Sequence, residues 1–117
     1  MANEMKSLNQ PEETRPFDKG KVELVKIAGH SVGRASLQPG WKWSDAVKPI
    51  VGTDSCQVAH VGYAIAGRLK GVMDDGTEFE VNAGDAYAIA PGHDAWVEGD
   101  ETFTGVEFES LAEYAKG

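Results

Sequence analysis

The sequence has little cysteine, little positive charge and no long apolar run, and each shortage excludes a class of protein. Its single cysteine, Cys56, cannot form an internal disulfide, which favours a reducing compartment, so we expect a cytoplasmic protein. The 11 basic and 19 acidic residues give a net charge of −8, which argues against binding to nucleic acid or to an anionic membrane. No stretch approaches the roughly 18 apolar residues of a membrane span, and no secretion signal is recognisable.

Glycine, in contrast, is abundant, with 14 residues among 117. The glycines separate short alternating segments at spacings of roughly ten residues, which is typical of an all-β sandwich or barrel. The first 20 residues are polar and show no periodicity. We therefore expect residues 1–20 to form a flexible arm, part of which adds an edge strand or swaps onto a partner subunit, and residues 21–117 to form one domain.

Alternation and turn residues predict the order of the strands. A hairpin turn is expected near Gly29 and His30, which makes His30 a solvated loop residue. The motif Ser110-Leu111-Ala112-Glu113 fits a capping box and predicts a short C-terminal helix through about Lys116. The other predicted strands begin at Trp41, Asp54, Leu69, Thr77 and Thr102.

The stretch from Gly84 to Trp96 is predicted to form a strand, a tight turn and a second strand. Gly84 and Gly92 lie where the chain must bend, and Pro91 fixes φ beside the second bend. Between the bends, small side chains occupy one face of the alternating pattern and suit a crowded interior. They are Ala86, Ala88 and Ala90.

This stretch resembles the second sequence motif of the cupin superfamily, in which Gly-Asp opens a strand and a Pro-x-Gly turn presents a histidine to the cavity. Here Gly84-Asp85 opens the strand and His93 follows the Pro-Gly turn, while Ala95 occupies the usual histidine position. The resemblance covers most of residues 22–109. It implies a cupin-type double-stranded β-helix, a jelly-roll barrel, in an all-β chain.

The first cupin motif, Gly-x5-His-x-His-x3–4-Glu-x6-Gly, is matched in part. The segment from His60 to Gly67 reproduces its Glu-x6-Gly end, with His60 in place of the glutamate, and Asp54 and Cys56 fall at the His-x-His positions. One continuous strand would point these three side chains to the same side. The resemblance therefore implies His60, His93, Cys56 and Asp54 as metal ligands, for a divalent ion such as Zn, Fe, Cu, Ni or Mn.

The same four residues also have simpler explanations. A cysteine is often buried as a small hydrophobic residue, and Asp54 follows Thr53 in a turn that it could cap. His93 could hydrogen-bond to the backbone at the rim. His60 would then be a lone interior histidine, paired with a tyrosine or a water molecule.

A thiol nucleophile activated by a neighbouring histidine is not expected. Cys56 and His60 are separated by four positions, and on one extended strand they would lie ~13 Å apart, too far for a hydrogen bond. The acidic residues cluster at turns, near Asp74 and Asp100, where solvation explains them.

Three aromatic residues are candidates for the wall of a ligand pocket. Trp41 and Trp43 share one face of a predicted strand, where they either contact a bound organic molecule or simply fill the core. Tyr87 joins them if it faces inward. Trp96 has the opposite parity to His93, so it either anchors a subunit contact in a homodimer or is covered by the C-terminal helix.

These observations leave three functions open. The first is a cupin that binds a small molecule, including a divalent-metal-dependent enzyme acting on a small organic substrate in the barrel cavity. The second is a metal-free ligand-binding or sensing module, and the third is a dimerising interaction domain without catalysis. The partners expected are a small-molecule ligand and a second copy of the chain.

Overall fold

The computed structural model describes residues 2–117, and strands account for most of their regular structure. Two very short α-helices, α1 (Trp43–Ala46) and α2 (Lys48–Val51), and a 3-10 helix, Ser110–Ala112, complete the elements. The strands are β1 (Glu13–Phe17), β2 (Gly20–Ile27), β3 (His30–Leu37), β4 (His60–Ala66), β5 (Arg68–Met73), β6 (Glu78–Asn82), β7 (Ala86–Ile89), β8 (His93–Val97) and β9 (Phe103–Phe108).

These strands form two antiparallel sheets. The larger sheet has the order β1-β2-β3-β9-β4-β7, and the smaller one has the order β6-β5-β8. Apolar side chains from both sheets belong to one hydrophobic core. The all-β prediction is therefore confirmed, and the arrangement is that of a jelly-roll, although the described strands form two separate hydrogen-bonded sheets and not a closed barrel.

The first 20 residues contribute the edge strand that was expected from them. Strand β1 pairs with β2 along its whole length, from Glu13 opposite Leu24 to Phe17 opposite Gly20. Arg15 of this strand donates hydrogen bonds to the carbonyl oxygens of Leu111, Ala112 and Tyr114. The strand thus fixes the C-terminal segment. The domain boundary at residue 20 stays a prediction.

Two strand predictions are wrong. The strand expected from Trp41 is replaced by α1, which begins at Trp43, and the strand expected from Asp54 begins only at His60. Hydrogen bonds made by the side chains of Thr53 and Ser55 account for the second difference, because they hold this segment in a turn and not in a strand. Thr53 Oγ1 donates to the Ser55 carbonyl oxygen, and Ser55 Oγ donates to Asp74.

The side of β7 that faces the interior also differs from the prediction. Its alanines, which were expected to fill the interior, are exposed, whereas Tyr87 and Ile89 are buried. The larger apolar surfaces of Tyr87 and Ile89 gain more from burial than alanine methyl groups do. Tyr87 therefore faces the interior.

The C-terminal helix is shorter than predicted, and its capping box does not form. Glu109 precedes the 3-10 helix with φ of +70° and makes no side-chain cap. Ser110 Oγ instead donates a hydrogen bond of 2.7 Å to Glu107 Oε1. None of the helices within residues 2–117 is long and apolar enough to cross a membrane.

Candidate metal centre and its cavity

Three of the four predicted metal ligands lie together inside the protein. Cys56, His60 and His93 are all buried, and one ligand atom from each lies within 4.8 Å of the others. Cys56 Sγ is 3.7 Å from His60 Nε2, and the rings of His60 and His93 are 5.2 Å apart between centroids. Asp54 is exposed and does not belong to the group.

The irregular course of residues 52–59 brings Cys56 to the histidines. Its backbone N–H donates to the His93 carbonyl oxygen at 2.7 Å, and its own carbonyl accepts from the Gly92 N–H at 2.7 Å. His60 opens β4 and His93 opens β8, so both histidines start strands at this point. Cys56 and His60 are therefore within hydrogen-bond distance, contrary to the prediction, because the chain between them is not extended.

Each histidine is oriented by a hydrogen bond at Nδ1. His93 Nδ1 donates to the Ala90 carbonyl oxygen at 2.7 Å, and His60 Nδ1 donates to Glu107 Oε1 at 2.6 Å. With Nδ1 protonated, Nε2 is the ring nitrogen available to a ligand or a thiol. An outer hydrogen bond of this kind usually fixes the tautomer and orientation of a metal-binding histidine.

Glu107 is a central residue of the site that the sequence analysis did not identify. It is buried on β9, and it accepts hydrogen bonds from His60, from the Tyr87 hydroxyl at 2.8 Å and from Ser110. Its position in the alternating pattern of the last predicted strand could have identified it. Glu107 lies four positions after Phe103 on the last predicted strand, so an inward Phe103 implies an inward carboxylate.

The hydrogen bonds within the group shift its protonation. Burial raises the pKa of the Cys56 thiol, but hydrogen bonds from His60 and His93 outweigh burial and lower that pKa to about 6. Burial lowers the pKa of His60, but its bonds to Cys56 and Glu107 raise that pKa to about 9. Burial raises the pKa of Glu107, whereas His60, Ser110 and Tyr87 together lower it below its usual value. In the metal-free protein these shifts favour a thiolate at Cys56, an imidazolium at His60 and a carboxylate at Glu107 near neutral pH.

A cavity of about 40 Å³ adjoins the two histidines. All three predicted pocket residues line it, since Trp41, Trp43 and Tyr87 are among its walls together with Glu107 and Tyr114. Most of the remaining lining is apolar, and both tryptophans belong to the hydrophobic core as well. The two explanations of these tryptophans are thus compatible.

His30 and Trp96, the remaining histidine and tryptophan, lie outside this site. His30 is exposed at the β2–β3 turn, as expected, and its Nδ1 is 3.1 Å from Glu109 Oε1. Trp96 is partly exposed on the smaller sheet, where the Lys42 ammonium lies 5.9 Å from its ring centroid and its own Nε1 donates to Glu98. The C-terminal 3-10 helix packs instead against strands of the larger sheet.

The donor set fits a transition-metal ion. Metal–sulfur bonds of about 2.3 Å and metal–nitrogen bonds of about 2.0 Å place two ligand atoms on a tetrahedral ion about 3.5 Å apart. The observed 3.7 Å between Cys56 Sγ and His60 Nε2 is close to this separation. One thiolate and two imidazoles also form a set of three ligands, which leaves a coordination position open.

The protein is a small jelly-roll, because its two antiparallel sheets share one core. It also has an internal cavity and a group of possible metal ligands. Solved structures identify this jelly-roll as the cupin fold. No family model matches the sequence, and no curated protein does. The fold is shared, however, with a mutant of Bacillus subtilis oxalate decarboxylase, with a TM-score of 0.62 and 17% identity over 94% of this chain.

Two further structures are similar over nearly their whole length. A Rhizobium leguminosarum protein of unknown function has a TM-score of 0.64 and 15% identity, and covers 92% of this chain and 97% of its own. An RmlC-like cupin from Shewanella frigidimarina has a TM-score of 0.59 and 13% identity, and covers 92% of both chains. The present chain spans only 30% of the oxalate decarboxylase chain. At these identities the likeness establishes the fold alone.

Proposed function

We propose that this protein binds one divalent transition-metal ion through Cys56, His60 and His93 and a small organic molecule in the adjoining cavity. The observation that carries the metal proposal is the pair of outer hydrogen bonds at Nδ1 of the two histidines. Because these bonds occupy Nδ1, the Nε2 atom of each histidine is left to bind an ion beside the Cys56 thiol. Metal sites commonly hold their histidines in this way, through a carboxylate or a carbonyl group.

The chemistry of the ligands narrows the choice of metal. A thiolate with two imidazoles suits Zn²⁺, Fe²⁺ or copper better than it suits Mn²⁺, which prefers oxygen ligands. When bound with an open position, such an ion polarises a carbonyl group or activates water. The cavity beside His60 and His93 provides room for the molecule that this chemistry would act on.

Elemental analysis of untagged protein, purified without chelator and without added metal, tests the metal proposal. We expect close to one equivalent of metal per chain in the wild type and in His30→Ala, whose imidazole is exposed and does not belong to the group. The variants His60→Ala, His93→Ala and Cys56→Ser should each lose most of it. Equal metal content in the wild type and His60→Ala, or background content after offering each metal in excess, would overturn the proposal.

A metal-free ligand-binding module is the second candidate. One observation favours it, because the thiolate of Cys56 and the imidazolium of His60 satisfy each other and do not require an ion to offset their burial. This candidate predicts that a bound small molecule raises the melting temperature by an amount that persists after chelation and grows with ligand excess.

The homodimer expected from the sequence remains a proposal. Trp96, which lies under Lys42, does not supply a large apolar surface. The outer face of β4 offers a better candidate, since Val61, Tyr63 and Ile65 are each about half exposed there. Sedimentation of the wild type against Tyr63→Glu tests this surface, and a wild type that stays monomeric at high concentration would exclude it.

A further inference from the structure

The group of Cys56, His60 and His93 lies deep in the protein, since these residues are between 2% and 7% exposed. The cavity that adjoins the two histidines is small, with a volume of about 40 Å³. An ion or a small molecule reaches such a site from solvent when part of its wall moves aside. The part of the wall with the fewest stabilising contacts opens most readily.

Most of the cavity wall consists of strands, namely β3, β4, β5, β7, β8 and β9, which are all held by the ladders of the two sheets. Two pieces of the wall lie outside the strands. One contributes Trp41 and Trp43, and the other is the C-terminal segment, residues 110–117, which contributes Leu111 and Tyr114. Opening without rupture of a sheet must therefore involve one of these two pieces.

The piece with the tryptophans is tied to β8 through backbone groups. The Val97 N–H donates to the Trp41 carbonyl oxygen at 3.0 Å, and the Ser44 N–H donates to Asp94 Oδ1 at 3.1 Å. Lys42 and Trp96 also form a bridge between these two stretches. These contacts make this piece the more firmly fixed of the two.

The C-terminal segment has no such connection. In the part of the chain that the structure describes, the last backbone hydrogen bond to another element is from the Glu109 N–H to the Ser31 carbonyl oxygen, at 2.8 Å. Beyond Glu109, the backbone hydrogen bonds of the segment are all local turns. Side chains alone therefore hold the segment against the body of the protein.

Arg15 on β1 supplies most of the polar contacts to the segment. Its Nη1 donates to the carbonyl oxygens of Leu111 and Tyr114, at 3.0 and 2.5 Å. Its Nη2 donates to the Ala112 carbonyl oxygen at 2.8 Å. Hydrogen bonds from a charged donor are stronger than neutral ones, and one side chain makes all three. Loss of Arg15 would release three carbonyl groups at once.

The segment also covers the metal group directly. The Tyr114 ring packs edge-on against the His60 ring, with 5.4 Å between centroids. Burial raises the pKa of Tyr114 well above its usual value, and the charges of Cys56 and Glu107 raise it further, so Tyr114 lies close to these groups. Movement of Tyr114 would therefore uncover His60 and the Cys56 thiol beside it.

We propose that the C-terminal segment is a gate that opens about Glu109 and admits ions and small molecules to the cavity, and that Arg15 is its latch. Glu109 has φ of +70°, a strained conformation for a residue with a side chain, which makes it a suitable hinge. The inference concerns access to the cavity, so it goes beyond the proposed function and does not require a metal.

Chemical labelling of Cys56 tests the gate, because it is the only cysteine of the chain. Methyl methanethiosulfonate, a small neutral thiol reagent, is added to the full-length protein with a chelator present, and mass spectrometry follows the reaction. Arg15→Ala should be labelled at least tenfold faster than the wild type, because the bonds from the charged donor are lost. Equal rates in the two proteins would overturn the latch.

Arg34→Ala is the matched control for loss of an arginine. Arg34 also donates several hydrogen bonds, but to groups outside the C-terminal segment, including Glu23 and the Leu8 carbonyl oxygen. Its labelling rate should stay within about twofold of the wild-type rate. An acceleration as large as that in Arg15→Ala would mean that general destabilisation explains both variants, and it would overturn the proposal.

Gly33→Ala displaces the segment from the opposite side and leaves Arg15 intact. Gly33 lies under Leu111, and a Cβ at this position would be 2.7 Å from Leu111 Cδ1 and 2.9 Å from Leu111 Cβ. Leu111 must therefore shift outward, and Cys56 should be labelled faster than in the wild type. An unchanged labelling rate in Gly33→Ala would contradict the gate.

The urea dependence of labelling tests the gate in the wild type, without any substitution. Release of one short segment exposes little surface, so the labelling rate should hardly change with urea at low concentrations, whereas global unfolding depends on urea steeply. Labelling with the same urea dependence as global unfolding would overturn the gate.

The outcome is independent of the metal proposal, because the chelator keeps the thiol free of metal. Failure of the metal proposal would leave the labelling rates unchanged. Normal metal content together with labelling only through global unfolding would support the metal centre and overturn the gate.

Discussion

Glu107 Oε1 lies 2.6 Å from His60 Nδ1, and both side chains are buried. The other carboxylate oxygen of Glu107 accepts from the Tyr87 hydroxyl at 2.8 Å. His60 is therefore held between a carboxylate on one side and the Cys56 thiol on the other. This chain of contacts sets both the orientation of the imidazole and the charge of the group, and the first three predictions depend on it.

Replacing Glu107 with glutamine should weaken metal binding about tenfold, and replacing it with alanine up to about 100-fold. Glutamine keeps an oxygen acceptor for His60 but loses the charge, whereas alanine leaves Nδ1 of His60 without a partner. Competition with a chelator of known affinity measures the change. Glu109→Gln is the control, because Glu109 contacts the exposed His30. Equal affinities in the wild type and Glu107→Ala would exclude this positioning role.

Metal affinity should rise with pH over a defined range. The pKa of Cys56 is lowered to about 6, so its side chain is a thiolate above pH 6. The pKa of His60 is raised to about 9, so its imidazole stays protonated up to pH 9. Binding an ion must therefore displace one proton between pH 6 and 9, which increases the affinity about tenfold per pH unit. Below pH 6 two protons must leave, so the slope steepens, and above pH 9 it flattens. A flat profile between pH 6 and 9 would contradict this protonation scheme.

The metal-free protein should contain a thiolate at neutral pH. Ultraviolet absorbance of the Cys56 thiolate should titrate with a midpoint near pH 6, because hydrogen bonds from His60 and His93 outweigh the effect of burial. In His60→Ala the midpoint should rise by more than one pH unit, since a major stabilising partner is lost. His30→Ala should leave it unchanged. A wild-type midpoint near the ordinary thiol value would show that the histidines do not stabilise the thiolate.

Substitution of Gly92 tests the turn between β7 and β8. Gly92 has φ of +92°, and a Cβ at this position would lie 2.8 Å from Asp74 Oδ2. Gly92→Ala should therefore lower the free energy of unfolding by more than about 1 kcal/mol, from backbone strain and from the contact.

Gly76→Ala is the matched control for this turn, because Gly76 has φ of +90° but open space around it. Denaturant unfolding of both variants isolates the contact with Asp74 as the difference between them. A loss of stability in Gly76→Ala as large as that in Gly92→Ala would mean that the contact contributes nothing.

Local signals predicted much of the framework. The turns at Gly29, Asp75–Gly76 and Pro91–Gly92 follow from residues that accept or favour turn geometry, and the strands that follow them alternate as expected. The hairpin of β2 and β3 and the hairpin of β5 and β6 depend on such local pairing. The buried face of β7 was assigned wrongly from the small size of its alanines, although the larger apolar side chains of Tyr87 and Ile89 were the local signal for the inward face.

Residue types and spacing alone predicted an all-β chain, several of its turns, and a ligand set of His60, His93, Cys56 and Asp54, from which the structure removes Asp54. That Cys56 reaches His60 depends on long-range contacts, because backbone hydrogen bonds to Gly92 and His93 hold Cys56 in place. The tertiary structure also brought Glu107 to His60 across 47 positions, through the pairing of β9 with β4. Such contacts depend on which strands become neighbours, and local propensity and alternation do not specify that.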